Sequence, residues 1–106
     1  MSVTACDDMP SLNAALAAAG DKLVVIDFHA TWCGPCRRIA PFIQTLANST
    51  PEVVFLKVDV DNNSEAAQKY EIEAMPTFLF IKGGEVLEKV MGASEEKIGA
   101  AIQARK

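Results

Sequence analysis

The strongest constraint on the fold of this chain comes from two runs that are apolar on both alternating faces, residues 23–28 and 53–61. Such runs are typical of parallel strands that helices cover on both sides of a sheet. The stretch between them carries apolar residues at helical spacing, with Pro35 suited to its first turn and Pro51 beyond its end. The pattern predicts a βαβ unit, with Asp27 as a carboxylate inside the buried first strand of that unit.

Turn and cap residues place the remaining elements. Two β-rich runs, residues 77–81 and 86–91, are separated by a connection so short that the two strands must be antiparallel, which makes the sheet mixed. A short extended segment and three further helices are predicted at residues 3–6, 12–19, 64–70 and 95–106. The alternation of strands and helices along the chain is that of an α/β protein.

Length and charge limit the classes of function. A chain of 106 residues is long enough for one hydrophobic core, so residues 1–106 are expected to form a single domain. The net charge of −4 argues against a nucleic-acid or anionic-membrane surface. No apolar run approaches the roughly 20 residues that span a bilayer, and the first residues lack the basic and apolar regions of a targeting signal. We therefore expect a cytoplasmic protein that does not enter a membrane.

Cys33 and Cys36 form a Cys-x-x-Cys motif where the first buried strand ends and the next helix begins. The Cys33 sulfur then faces unpaired backbone N–H groups and the positive end of the helix dipole, which stabilise a thiolate. Cys36 lies almost one turn further into the helix, so its sulfur is expected to be deeper and less exposed. Cys33 is therefore predicted to attack a disulfide and Cys36 to resolve the product. Pro35 restrains the helix start, and Gly34 admits a close partner chain.

The run Trp-Cys-Gly-Pro-Cys at residues 32–36, preceded by Asp27 and followed by residues 75–77 and residues 92–93, resembles the thioredoxin family. The resemblance covers the whole chain and is strongest to the cytosolic eukaryotic members. It implies the thioredoxin fold, a central mixed five-stranded sheet flanked by four helices.

The same resemblance implies roles for further residues. The proline that matches Pro76 is cis in that family and faces the dithiol, which leaves the backbone of Met75 free to pair with an extended substrate. The indole of Trp32 would donate a hydrogen bond to Asp61, which positions the ring. An apolar rim that also includes Pro35 would surround Cys33 and mark a partner site. The residues expected to bind substrate are Trp32, Met75, Pro76, Gly92 and Ala93.

The activity that the resemblance implies is reduction of disulfides in client proteins, through a mixed disulfide that leaves a redox-active Cys33–Cys36 disulfide. An NADPH-dependent thioredoxin reductase would restore the dithiol, so no cofactor or metal needs to bind the chain. Its partners would be disulfide-containing client proteins and that reductase. A monomer is expected. Ala74 stands where vertebrate members carry a cysteine, so a covalent dimer through that position is impossible.

Three residues allow more than one interpretation. Asp27 is either a core carboxylate that Lys57 on the neighbouring strand neutralises, or a group of raised pKa that relays a proton from Cys36. His29 either fills space or brings an imidazolium close enough to favour the Cys33 thiolate. Cys6 is either a small apolar residue of the first strand or a regulatory thiol.

Three rival functions are also consistent with the sequence. One is an oxidant or isomerase of the secretory pathway. The absence of a signal peptide and the Gly-Pro pair of the motif argue against this function. A second is a structural zinc site, but its ligands are poorly grouped; they would be Cys6, His29, Cys33 and Cys36. The third is a redox-indifferent subunit of a larger assembly.

Overall fold

A computed structural model describes residues 2–106, and Met1, the first residue of the predicted domain, lies outside the described residues. Within residues 2–106, five strands and four helices are present, and they follow the predicted order. The strands are β1 (Thr4–Ala5), β2 (Val24–His29), β3 (Val54–Asp59), β4 (Thr77–Lys82) and β5 (Glu85–Met91). The helices are α1 (Met9–Ala19), α2 (Gly34–Ser49), α3 (Ser64–Lys69) and α4 (Glu95–Arg105).

The strands form one mixed sheet in the order β1-β3-β2-β4-β5. β2 runs parallel to β3, with α2 as the crossover, and antiparallel to β4, so the predicted βαβ unit and the mixed sheet are confirmed. β4 and β5 are joined by a tight turn in which Gly83 and Gly84 adopt φ angles of 60° and 81°. Positive φ at both central residues matches the twist of a two-residue hairpin, and glycine adopts it without steric cost.

Helices cover both faces of the sheet. One cluster of buried apolar residues joins α2 and α4 to one face, and a second cluster joins α1 and α3 to the other. Val25 and Ile26 belong to different clusters because successive side chains of β2 point to opposite faces. β2 is therefore packed between the two clusters. The residues that follow its carboxyl end are attached to a strand that is buried on both faces.

β3 ends two residues earlier than predicted. The carboxylate of Asp59 accepts the backbone N–H of Asp61 at 2.9 Å. The Asp59 carbonyl accepts the N–H groups of Asn62 and Asn63, at 3.1 and 2.9 Å. These bonds fold the chain into a turn that ends β3 at Asp59 and leaves Asp61 in the turn. The N–H of Val60 still donates to the His29 carbonyl at 2.9 Å, so the backbone leaves the sheet after that bond.

The first strand is shorter than predicted, since β1 comprises Thr4–Ala5 and Cys6 follows it. The N–H of Cys6 still donates to the Lys57 carbonyl at 2.9 Å, but its own carbonyl accepts the side-chain amide of Asn63 at 3.2 Å. The other end of that amide caps α3, where its oxygen accepts the Ala66 N–H at 3.2 Å. Through these two bonds the buried Asn63 side chain joins the end of β1 to the start of α3.

α3 ends in a left-handed residue that is not glycine. Glu71 has a φ of 55°, and its N–H donates to the Gln68 carbonyl at 3.1 Å. The N–H of Ile72 donates to the Ala67 carbonyl at 2.9 Å. This pair of bonds is the Schellman arrangement, in which the left-handed position favours glycine because other residues bring their Cβ too close to the backbone.

Glu71→Gly is therefore expected to raise the free energy of unfolding by about 1 kcal/mol, because the left-handed conformation costs a residue with a side chain about that amount. Urea unfolding of the oxidised protein measures the difference. Glu73→Gly is the matched control, since Glu73 is also exposed but lies outside the left-handed region. There the substitution only adds freedom to the unfolded chain, so stability should fall slightly. Equal changes in the two variants would show that Glu71 is not strained.

Candidate active site

Cys33 and Cys36 lie at the junction between β2 and α2. Cys33 is the N-cap residue of α2, and its sulfur accepts the backbone N–H of Cys36 at 3.2 Å. The two sulfurs are bonded as a disulfide, with their Cα atoms 5.3 Å apart. Once the disulfide is opened, the same N–H group stabilises negative charge on the Cys33 sulfur. The predicted pairing of the two cysteines at a helix N-terminus is confirmed.

The two cysteines are equally buried, and the predicted difference in depth is wrong for the disulfide form. Cys33 is 5% exposed and Cys36 is 6% exposed, because the bond holds both sulfurs in one small cluster with Ala30. Their surroundings differ instead. The Cys33 sulfur lies 3.7 Å from the carbonyl oxygen of Met75, a contact without a shared hydrogen in the disulfide state. Cys36 lines a cavity that also contains Asp27.

After reduction, an alkylating reagent at neutral pH is expected to modify Cys33 at least about tenfold faster than Cys36. The helix N–H that reaches the Cys33 sulfur favours its thiolate, whereas Cys36 lines the same cavity as the Asp27 carboxylate, whose negative charge disfavours a second one. Mass mapping after a short exposure measures the two rates. Equal modification of both thiols would contradict the prediction that Cys33 is the attacking thiol and Cys36 the resolving one.

The surface beside Cys33 is apolar. Trp32 is 64% exposed, and its indole N–H donates to a carboxylate oxygen of Asp61 at 3.0 Å. Pro35 and Met75 are half-buried, and Met75 packs against the small cluster that contains both cysteines. A large exposed ring held by one hydrogen bond, next to a reactive pair, is typical of a surface that meets a partner.

Two segments distant in sequence complete this surface. The Met75–Pro76 peptide bond is cis, and the carbonyl of Pro76 accepts the N–H of Gly92 at 2.9 Å. This bond places the exposed Ala93 beside the Met75–Pro76 segment. Met91 was not predicted as part of this surface; it is 62% exposed and lies opposite Thr77, the residue after Pro76, in the sheet register. Met91 could have been identified from its position immediately before Gly92. It is also next to the buried Val90, so its side chain lies on the opposite, exposed face of β5.

Gly34 and Pro35 are the first two residues of α2. A Cβ atom at Gly34 would lie 3.4 Å from the end of the flexible Arg38 side chain, which is ordinary contact. The fold itself therefore does not require glycine at this position.

Asp27 lies in the middle of β2 and is 8% exposed. One of its carboxylate oxygens, Oδ1, is fully buried and has no hydrogen-bond partner within residues 2–106. Burial raises the pKa of Asp27 to about 7, and the positive charge of Lys57 opposes this change. The side chain lines a cavity of about 250 Å³ together with Cys36, so a carboxyl with a pKa of about 7 lies at the same cavity as this cysteine.

Lys57 lies directly opposite Asp27 in the register of β2 and β3, and it lines the same cavity. It does not form a close ion pair with Asp27, since the pairs within 4.0 Å in residues 2–106 are Arg105 with Glu88 and Lys106 with Glu52. The structure therefore contradicts the interpretation in which Lys57 neutralises the Asp27 carboxylate by direct contact.

His29 is the last residue of β2 and is half-buried. Burial lowers the pKa of its imidazole, and the negative charge of Asp59 opposes this change. His29 lines the cavity that contains Asp27 and Cys36, whereas Cys33 is not among the lining residues. His29 therefore lies near the cysteine pair as expected, but the structure places it with Cys36; its coupling to Cys33 stays a prediction.

Cys6 is separated from the other two cysteines. It is 1% exposed within the core cluster that joins α1 and α3 to the sheet, and burial raises the pKa of its thiol. Within residues 2–106, no three histidine, cysteine or acidic side chains are grouped so that they could hold a metal ion. The proposed zinc ligands are thus not brought together. None of the helices in the same range combines the length and apolar composition needed to cross a bilayer.

Comparison with known proteins agrees with this geometry. The family model described as Thioredoxin matches residues 5–104. Thioredoxin of Mus musculus is 53% identical over 88 residues, which cover 83% of this chain and 84% of that protein. Thioredoxin H1 of Arabidopsis thaliana is 47% identical over 102 residues, which cover 94% and 90%. The crystal structure of Fasciola hepatica thioredoxin superposes with a TM-score of 0.96 at 45% identity, covering 98% of this chain and 100% of that one. The chain therefore belongs to the thioredoxin family, whose members are dithiol–disulfide oxidoreductases.

Proposed function

We propose that this chain reduces disulfide bonds in client proteins and carries the electrons from NADPH to those clients. The observation that supports this most directly is the Cys33–Cys36 disulfide at the start of α2, next to an exposed apolar surface. In the first step the Cys33 thiolate attacks one sulfur of a client disulfide. The Cys33–client bond forms, the client disulfide breaks, and the other client sulfur leaves as a thiolate.

In the second step Cys36 attacks the Cys33 sulfur of the mixed disulfide and releases the client dithiol. Cys36 must first lose its proton, and we assign the acceptor role to Asp27. Its carboxylate lies in the cavity that Cys36 lines, and a pKa of about 7 lets it exchange a proton at neutral pH. Lys57 assists by its positive charge, which keeps a fraction of Asp27 ionised.

The client is held by the apolar surface that surrounds Cys33. Trp32 would supply the largest contact, with Asp61 fixing its ring through the indole hydrogen bond. An extended client segment would lie along the Met75–Pro76 backbone, and Gly34 allows its close approach. Further contact residues are Met91, Gly92 and Ala93.

We further propose that an NADPH-dependent thioredoxin reductase restores the Cys33 and Cys36 thiols after each turnover. The chain then needs no bound cofactor, because the cysteine pair itself carries the two electrons. It would act as a monomer in the cytoplasm, where it contributes to cell redox homeostasis.

A coupled assay tests this function. NADPH, a thioredoxin reductase, insulin and the chain are combined, and NADPH oxidation is followed together with the appearance of reduced insulin chains. Both signals are expected only when all components are present. A second arm uses chain that has been reduced chemically beforehand, which removes the need for the reductase. A folded, pre-reduced chain that leaves insulin oxidised would overturn the proposed function, whereas failure of the coupled arm alone would overturn only the reductase as electron donor.

A further inference from the structure

The cavity beside Cys36 contains two side chains that can exchange a proton near neutral pH, and the proposed reaction uses only one of them. Asp27 and His29 are two residues apart in β2, so their side chains share a face, with Cα atoms about 7 Å apart. Asp27 is 8% exposed and its Oδ1 has no partner, whereas His29 is half-buried at the end of the strand. His29 is therefore the nearer of the two to solvent.

We propose that His29 takes the proton that Asp27 receives from Cys36 and releases it to solvent. This inference rests on the proposed function. The Cys36 thiol gives its proton to an Asp27 oxygen, and the Cys36 thiolate then attacks the Cys33 sulfur, so that the Cys33–Cys36 bond forms and the client leaves as a thiolate. The Asp27 carboxyl passes the proton through water to a ring nitrogen of His29. The imidazolium loses it to bulk water, and Asp27 is ionised for the next turnover.

The cationic side chains that line the cavity cannot perform this transfer. Arg37 on α2 and Lys57 on β3 line it, but a guanidinium and an ammonium offer donors and no acceptor. Arg37 is also held in place, because one of its guanidinium nitrogens donates to the Thr31 carbonyl at 2.7 Å. His29 is the lining side chain that combines a basic nitrogen with partial exposure.

Burial of His29, rather than the charges around it, favours a neutral ring that can accept a proton at pH 7. Burial lowers the pKa of its imidazole, and the positive charge of Lys57 acts in the same direction. Asp59 on β3 and Asp7 in the segment before α1 oppose them. With Arg37 also lining the cavity, cationic groups lie on two of its sides. An acceptor of this kind exchanges protons readily with a carboxyl that titrates near pH 7.

A single-turnover experiment isolates the transfer. Reduced protein is mixed rapidly with a chromogenic aromatic disulfide, which releases one thiolate when Cys33 attacks and a second when Cys36 closes the ring. Near pH 7 about half of the molecules start with Asp27 protonated, and these can complete the second phase only after that proton leaves. The second phase therefore reports on the exit of the proton from Asp27.

We expect His29→Gln to slow the second phase about tenfold near pH 7 in the half of the molecules that start with Asp27 protonated, at the low end of the effect of proton-transfer groups. The second phase of the other molecules and the first phase of all of them should be unchanged. The difference should disappear towards pH 9, where Asp27 starts ionised. His29→Ser should behave alike, and free imidazole should restore its second phase. Pyrazole, which has the same shape but is far less basic, should not. A purely space-filling His29 would not produce this pH dependence or this difference between the two compounds.

Three outcomes would overturn the inference: equal second phases in wild type and both variants, equal rescue by imidazole and pyrazole, or an effect confined to the first phase. The last would place the influence of His29 on Cys33. Circular dichroism verifies that both variants are folded. Insulin reduction by the wild type is measured in parallel, so that loss of the proposed function is distinguished from failure of the His29 assignment alone.

Discussion

Cys33→Ser is expected to abolish the reduction of protein disulfides, whereas Cys36→Ser is expected to stop the reaction halfway, with the client bound covalently to Cys33. The reason is that Cys33 carries the sulfur next to the apolar surface and the helix N–H, while Cys36 supplies only the second attack. Without Cys36, no thiol within the chain is placed to break the mixed disulfide, because Cys6 lies in a different core cluster. The trapped species should persist until an external thiol is added.

Non-reducing electrophoresis with mass mapping measures the trapped adduct, and turnover with insulin measures the loss of activity. Cys6→Ser is the matched control, because it removes a cysteine of the same size that takes no part in the reaction. It should retain wild-type turnover and trap nothing. Adducts mapped to Cys36 in the Cys33→Ser protein, in amounts equal to those on Cys33 in Cys36→Ser, would reverse or erase the assigned roles.

Asp27→Asn is expected to stabilise the oxidised protein by about 4 kcal/mol well above pH 7 and to change its stability little below pH 4. Burial raises the pKa of Asp27 from 3.8 to about 7, so between these values the native state keeps a proton that the unfolded chain has released. The unfolded state then binds fewer protons, and wild-type stability falls by about 1.4 kcal/mol for each pH unit over this range. The asparagine variant has no such loss, because its amide does not ionise.

Urea unfolding of both oxidised proteins across this pH range measures the difference between the two curves. Comparison in the disulfide state is essential, because Cys33 and Cys36 then do not titrate. The difference should grow from pH 4 to pH 7 and then become constant. Parallel curves over the whole range would show that Asp27 is not destabilised by burial. The same substitution should slow the second, resolving step, so stability and activity are expected to change in opposite directions.

Patterns within short segments were sufficient to predict most of the fold. The two-sided apolar runs led to β2 and β3, and the pair Gly83-Gly84 led to the hairpin, because in both cases the determining interactions are local or depend only on burial. The ends of elements were less predictable. β3 stops at Asp59 because of a side-chain bond to Asp61, and α3 ends at a strained Glu71 where no glycine marks the turn.

The site was predictable to the extent that it is contiguous in sequence. The Cys33–Cys36 pair follows from its spacing at a strand-to-helix junction. Met91 was missed because its proximity to the Met75–Pro76 segment depends on the register of β4 and β5, and the register is a tertiary property. The equal burial of the two cysteines was missed because exposure depends on the disulfide and on neighbours from other segments.

The side-chain amide of Asn63 bonds both to the end of β1 and to the first turn of α3, and this affects the dynamics of β1. β1 pairs with β3 through Thr4 and Ala5, with one further bond from the Cys6 N–H to the Lys57 carbonyl, and it is the shortest strand of the sheet. Its opening also releases the Cys6 carbonyl from Asn63, the residue that caps α3. We therefore expect β1 and the first turn of α3 to open together at a lower free energy than global unfolding, so that hydrogen exchange gives their amides one shared opening free energy. The buried Cys6 thiol is expected to become accessible in the same event, so that its rate of reaction with a thiol reagent measures how often β1 opens.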